Sequence, residues 1–224
     1  MTKELIHSRF SKALENHNRE EAVAIITDAL ENNQISIQTL YEEVLTQSLN
    51  SISSNRQEQS MPIWEEHLSS NIVRTVVELT LPYVYQQRQQ LEANHTQPLN
   101  RKKAVVFCLE EEYHELGARM TTDFLTLLGF DAYFIGANTP KQEIFSAIKH
   151  FKPDLVCVSV TNYFHLTKLH RLIEELRTIE VLKHFTFIVG GYAVHNSSDV
   201  KSQIKADYYV RTFDDLKAVK EAIR

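Results

Sequence analysis

The chain has 224 residues, 43% of them hydrophobic and 24% charged, which is the make-up of a soluble globular protein and room for one large domain or two small ones. Its 24 basic and 29 acidic residues give a formal net charge of −5, which excludes a general attraction to nucleic acid or to an anionic membrane. No run of about 18 apolar residues occurs, and the start, MTKELIHSRFSKAL, has no signal-type apolar block. The two cysteines, Cys108 and Cys157, sit inside apolar runs and read as reduced core thiols, so a cytoplasmic location is expected.

The first half predicts helices. Residues 3–16 give the first, and Asn18 caps a second, whose Ala22, Ile25, Ile26, Ala29 and Leu30 fall on one apolar stripe. Ile37, Leu40, Tyr41, Val44, Leu45, Leu49 and Ile52 repeat that pattern. After the polar stretch SSNRQEQS, a long helix is expected from about Met61, with Pro62 in its first turn and Pro82 ending or kinking it before YVYQQRQQLEANH continues. These helices make a bundle over 1–92, followed by a linker over 93–101.

From 102 to 224 the pattern changes. AVVFC, DAYFI, LVCVSV, FTFIVG and DYYV are short β-rich runs, with helical stretches near 113–128, 140–151 and 165–180 and a final helix in DDLKAVKEAI. Strands alternating with helices predict a doubly wound parallel five-stranded α/β sheet. The unbroken apolar strands agree, because such a sheet is covered on both faces.

Open parallel sheets bind ligands at the carboxyl ends of their strands, near the switch in strand order. In a flavodoxin-like order of 2-1-3-4-5, three loops converge there. They are EEEYHELG (110–117), Ser159-Val160-Thr161-Asn162 and Gly190-Gly191-Tyr192. A dinucleotide fits poorly, since the first loop has one glycine and three consecutive glutamates. A phosphate-accepting receiver domain also fits poorly, because Ser159, Val160 and Thr161 stand where its aspartate would be. Glu112 is placed to orient the ring of His114, the usual partner of a metal-ligating histidine. One histidine cannot build a protein-only metal site, and neither HExxH nor CxxC occurs. A single imidazole makes sense for a metal that arrives already held by a macrocycle. Glu110 and Glu111 read as a solvated edge, and His165 and His170, five apart, as exposed helix residues.

Glu112-Tyr113-His114-Glu115-Leu116-Gly117 resembles the D-x-H-x-x-G motif of cobalamin-binding domains, with glutamate in place of aspartate. Ser159-Val160-Thr161 resembles the second motif of that family and Gly190-Gly191 its third. The helical half resembles the cap that precedes this domain in methionine synthase and corrinoid proteins, with Glu66-His67 matching its E-H-L pair. The resemblance implies a cobalamin (adenosylcobalamin or methylcobalamin) bound with its dimethylbenzimidazole tail detached from cobalt. His114 would then be the lower cobalt ligand and Glu112 its partner. Ser159 and Thr161 would touch the tail, with Gly117, Gly190 and Gly191 leaving it room, and Tyr192 would be a further cofactor-binding residue. The cap would cover the upper face through Trp64, Glu66 and His67, with Trp64 also a core anchor.

Two functions follow from such a cofactor. The residues after His114 and the run Gly136-Ala137-Asn138-Thr139-Pro140 are similar to light-dependent cobalamin regulators, which implies a non-catalytic sensor, responsive to light or to the cofactor and read by a regulatory protein. The alternative is a corrinoid carrier that shuttles a methyl group between methyltransferases. A tryptophan of those photoreceptors is Arg56 here, and no basic recognition helix precedes the cap, so no direct nucleic-acid binding is expected. Self-association is compatible with either function. A mutase has no room for its substrate barrel.

Overall fold

Capping side chains set the helix starts in the first third of the chain. Thr2 Oγ1 accepts from the N–H of Leu5 at 3.4 Å and opens α1 (Lys3–Glu15). Asn18 Oδ1 accepts from Glu21 N–H at 3.1 Å and opens α2 (Arg19–Glu31), whose buried residues are the expected stripe Ala22, Ile25, Ile26, Ala29 and Leu30. Ser36 caps α3 (Ile37–Thr39), which runs through a π-helical turn at Leu40–Leu45 into α4 (Thr46–Gln57). Leu40, Tyr41, Val44 and Leu45 are buried in that wide turn, and the Tyr41 hydroxyl pairs with Thr80 Oγ1. Thr80 belongs to α5 (Ile63–Ala93), which continues past Pro82 instead of ending there.

In this computed structural model the described residues are 1–57, 61–93, 101–180, 184–196 and 200–223. They cluster into a helical unit, Met1–Val84, and an α/β unit, Tyr85–Arg224. The linker expected over 93–101 lies outside the described residues except at its two ends, as do the last three positions of SSNRQEQS. Among the described residues no helix is long and apolar enough to cross a membrane.

The α/β unit carries the expected parallel sheet, in the order β2-β1-β3-β4-β5. Its strands are β1 (Lys103–Leu109), β2 (Asp131–Thr139), β3 (Leu155–Ser159), β4 (Thr186–Gly190) and β5 (Tyr208–Tyr209). Every residue of β1 after Lys103 is buried, as befits a central strand covered on both faces. One face packs Val105, Phe107, Val156, Val158, Phe187 and Val189 against the apolar sides of α7 (Lys141–Phe151) and α8 (Leu166–Thr178). Between β1 and β2 runs α6 (Leu116–Leu127), and α11 (Phe213–Ala222) closes the chain behind a Thr212–Asp215 capping box. Two short helices, α9 (Tyr192–His195) and α10 (Val200–Gln203), lie between β4 and β5 where the sequence predicted none. Strand β2 extends four residues past DAYFI, with register shifts against β1 that carry Asn138 to the exit of that strand.

The sheet register aligns the places where ligands would bind. Cys108 pairs with Ser159 and Ser159 with Gly190, so the loops leaving β1, β3 and β4 start at one level. The switch in strand order lies between β1 and β3.

Candidate functional site

The loop after β1 reverses sharply. Glu111 adopts φ 69°, and the N–H of Glu112 donates to Leu109 O at 2.9 Å. Asn138, at the end of β2, holds the reversed loop from the side. Its Oδ1 accepts from Glu111 N–H at 2.7 Å, and its own N–H donates to Glu112 O at 2.9 Å. The backbone strain at Glu111 is offset by these bonds, and the result is that the Glu112 side chain turns inward while His114 stays near the surface. Glu110 and Glu111 are exposed as expected, with Glu111 paired to Lys168.

Glu112 is fully buried and makes the densest set of polar contacts in this unit's site. Oε1 accepts from the backbone N–H of His114 at 3.2 Å and bonds its Nδ1. Oε2 accepts from the N–H groups of Thr161 at 3.0 Å and Asn162 at 2.9 Å, and from His165 Nδ1 at 3.1 Å. Burial alone would raise this carboxyl's pKa. The hydrogen bond from His114, the Asn162 N–H, the charge of His114 and the bond from His165 outweigh it and bring it down to about 2. At neutral pH Glu112 is therefore an anion. An anionic acceptor fixes the proton of the His114 ring on Nδ1 and assigns Nε2 as the metal-binding nitrogen. The His114 side chain is 49% exposed at the strand exit, with its carbonyl accepting from Cys108 Sγ at 3.6 Å. Burial pushes the thiols of both Cys108 and Cys157 well above their usual range, so both remain protonated core groups.

Glutamate, one methylene longer than the aspartate of the motif, lets one carboxylate bridge the β1 and β3 loops. His165 is where the structure departs from expectation. It is buried, not exposed, because the chain leaves β3 through a short 3₁₀ turn, Tyr163–His165, before α8 begins. Asn162 Oδ1 accepts from Phe164 N–H at 3.1 Å and its carbonyl from His165 N–H at 3.0 Å, and this turn aims the imidazole back at Glu112. Helical spacing from His170 does not apply to a residue in that turn. The one local signal is Asn162, a turn-forming residue three positions earlier. His170 is half-buried and faces Glu174 at 3.4 Å.

The glycines divide into two kinds. Gly191 has φ 103°, and a Cβ there would lie 2.4 Å from Val160 O; at Gly190 a Cβ would lie 3.0 Å from Val210 O. Both are bare because their own chain passes close by, which is a different reason from room for a ligand. Gly117 is exposed in the first turn of α6, and its Cβ would meet only Ser159 Oγ at 3.5 Å, an ordinary contact. The fold does not require that glycine. Gly191→Ala should cost the apoprotein about 2 kcal/mol or more, whereas Gly117→Ala should leave it unchanged or up to about 1 kcal/mol more stable. Thermal and urea unfolding of the two variants check this pair.

Ser159 is buried at the end of β3, and Thr161 is half-buried with its N–H on Glu112. Tyr192 begins α9, its ring edge-on to Tyr163 at 6.3 Å. The structure thus gathers Glu112, His114, Gly117, Ser159, Thr161, Gly190, Gly191 and Tyr192 around the carboxyl ends of β1, β3 and β4. Trp64, Glu66 and His67 lie in the first turns of α5 in the helical unit. Trp64 is not a core anchor: it is 61% exposed, with its ring edge-on to His17 at 5.9 Å. Glu66 is half-buried and His67 exposed. Among the described residues no group of three or more His, Cys, Asp or Glu side chains could hold a metal ion. A lone, carboxylate-oriented imidazole fits a cobalt that brings its other ligands in a corrin ring.

Residues 102–217 match the family model described as B12 binding domain, and residues 6–80 match a second model of the same description. The chain belongs to the B12-binding domain family. Cobalamin is its cofactor. Among characterised relatives of this B12-binding chain is the trimethylamine corrinoid protein of Methanosarcina barkeri, 24% identical over 135 residues, or 60% of this chain. The matched stretch spans 61% of that relative's length. The monomethylamine corrinoid protein of Methanosarcina barkeri has the same fold, with a TM-score of 0.82 at 16% identity, covering 99% of this chain and 100% of that one.

Proposed function

We propose that this B12-binding chain is a corrinoid methyl carrier, serving methyltransferase partners and performing no catalysis of its own. The observation that carries the reading is the buried Glu112 anion, which fixes the proton of His114 on Nδ1 and offers Nε2 as the single protein ligand to cobalt. When bound, the cofactor would supply methyl-group chemistry at its cobalt. The chain's own residues bind and orient. His114 would hold the cobalt through Nε2, and Glu112 would set the direction and basicity of its ring. Ser159 and Thr161 would contact the nucleotide tail, Tyr192 would be a further cofactor contact, Gly117 would leave the tail room, and Gly190 and Gly191 shape the adjoining loop. Trp64, Glu66 and His67, in the first turns of α5, are proposed as the helical unit's own contacts to the cofactor.

The similarity to a trimethylamine corrinoid protein favours this reading over the sensor and photoreceptor expectation, for which neither relative offers support. A methyltransferase partner and a cytoplasmic location belong to the same proposal. The deciding test loads purified protein with methylcobalamin and with adenosylcobalamin, then follows assembly by size-exclusion chromatography in darkness and after green light. It also follows methyl loss to an acceptor in the presence of a methyltransferase encoded beside this gene. The expected result is methyl transfer with assembly unchanged by light. Light-dependent assembly of the adenosylcobalamin form without methyl transfer would overturn the carrier reading in favour of the sensor.

A further inference from the structure

The Glu112 carboxylate has two ends, and they do different work. Oε1 faces His114, while Oε2 is held by three donors from the β3 exit: the N–H groups of Thr161 and Asn162 and the ring Nδ1 of His165. A carboxylate turns readily about its terminal bond, and its orientation is defined only when both oxygens are engaged. The two backbone donors come from consecutive residues on one loop. The third comes from a different direction, from a ring buried at the entrance of α8. Because Glu112 accepts, the proton of His165 lies on Nδ1, and both imidazoles donate to one anion.

We propose that His165 is a positioning residue for the corrinoid site: by closing the set of donors on Oε2 it fixes the Glu112 carboxylate plane and, through Oε1, the direction of the His114 ring. This rests on the reading of His114 as the cobalt ligand and adds a residue to it. His165 touches neither the cofactor nor the reacting group. Its effect appears at cobalt because the histidine ring can ligate well only when its Nε2 lone pair points along the axial direction, and partners of this kind are commonly worth about 10- to 100-fold in metal affinity. It also links two motifs that are 49 residues apart in the chain, Glu112 and Thr161, through side-chain chemistry as well as backbone.

Two substitutions test this. His165→Phe keeps the ring and removes the donor; His165→Asn returns an N–H close to the former Nδ1. Each variant is titrated with hydroxocobalamin, reduced to the cobalt(II) state and examined by electron paramagnetic resonance for axial-nitrogen splitting, with circular dichroism as a control on folding. H165F is expected to bind about tenfold more weakly and to show a mixture of imidazole-bound and unbound cobalt. H165N is expected to recover most of the imidazole-bound signal. A wild-type affinity and a uniform nitrogen splitting in H165F would overturn the proposal. Absence of the splitting in wild-type protein would instead defeat the underlying reading of His114, so the two failures are distinct. Should H165F not fold, nitrogen NMR of the wild-type apoprotein decides: a proton held on His165 Nδ1 is expected, and an unprotonated Nδ1 sinks the proposal.

Discussion

His114→Ala should lower corrinoid affinity by at least about 10- to 100-fold and remove the absorption signature of imidazole-bound cobalt from whatever binds. Among the described residues, this side chain is the one imidazole at the strand exits with its Nδ1 already committed to a buried anion and its ring half exposed. His165, the other ring on Glu112, is buried and cannot substitute. The same variant should cost the apoprotein about 1–3 kcal/mol, because the buried Glu112 carboxylate loses one of its donors, and should leave it folded. Loss of the spectrum in a variant that still folds would place the effect on ligation. Loss of both spectrum and fold would show instead that the substitution disrupts the loop. Free imidazole added to the variant should restore part of the spectrum, as the cavity left by the side chain opens toward solvent.

Glu112→Gln should be the more damaging change to the protein itself. An anion accepting five hydrogen bonds is replaced by an amide whose NH₂ must face donors on one side. The depression of this carboxyl from 4.5 to about 2 corresponds to a stabilisation of at most about 3 kcal/mol at neutral pH. The sign follows from the lowered folded-state value. The contribution is complete above pH 4.5, where the unfolded chain's carboxyl is also ionised, and it disappears as pH falls from 4.5 toward 2 and the folded state takes up the proton. Urea unfolding at pH 7 should therefore separate wild type from E112Q by up to about 3 kcal/mol, and the gap should narrow steadily between pH 4.5 and 2. Equal stability at pH 7 would mean that the carboxylate's bonds only compensate its burial.

The architecture was legible because its signals are periodic. Continuous apolar runs marked the central strands, and the stripe from Ala22 to Leu30 marked α2 and its buried face. Short elements escaped, since four residues in α9 or α10 are too few for a period. The π-helical turn at Leu40–Leu45 escaped because its buried Leu40, Tyr41, Val44 and Leu45 also fit an α-helical stripe. In the site, Glu112 and His114 could be read because they are neighbours in sequence, and the motif prescribes the pair. His165 could not, because its role is set by a turn that reverses its direction, and an imidazole carries no mark of burial. Trp64 was misplaced by composition: a lone tryptophan on an amphipathic helix suggests a core residue, yet the buried face of α5 is formed by Ile72, Val73, Val76 and Val77. Gly190 and Gly191 were legible as glycines with a purpose. That the purpose is the approach of Val210 and Val160 depends on contacts across loops.

The sensor expectation drew on the residues after His114 and on Gly136-Ala137-Asn138-Thr139-Pro140, whose Asn138 holds the β1 loop through two hydrogen bonds, a task any occupant of the site would need. Among the residues after His114, Glu115 is buried and pairs with Arg119 at 3.1 Å at the start of α6, a local helix contact. Such flanking residues distinguish relatives of one fold without fixing which ligand sits above cobalt.

The most direct measurement is electron paramagnetic resonance of the cobalt(II) holoprotein prepared with all histidines labelled in nitrogen-15. If His114 Nε2 is the axial ligand, each cobalt line should be split into a doublet in labelled protein and a triplet in unlabelled protein, and His114→Ala should erase both. Lines that remain triplets in the labelled protein, or that show no nitrogen splitting at all, would contradict the account.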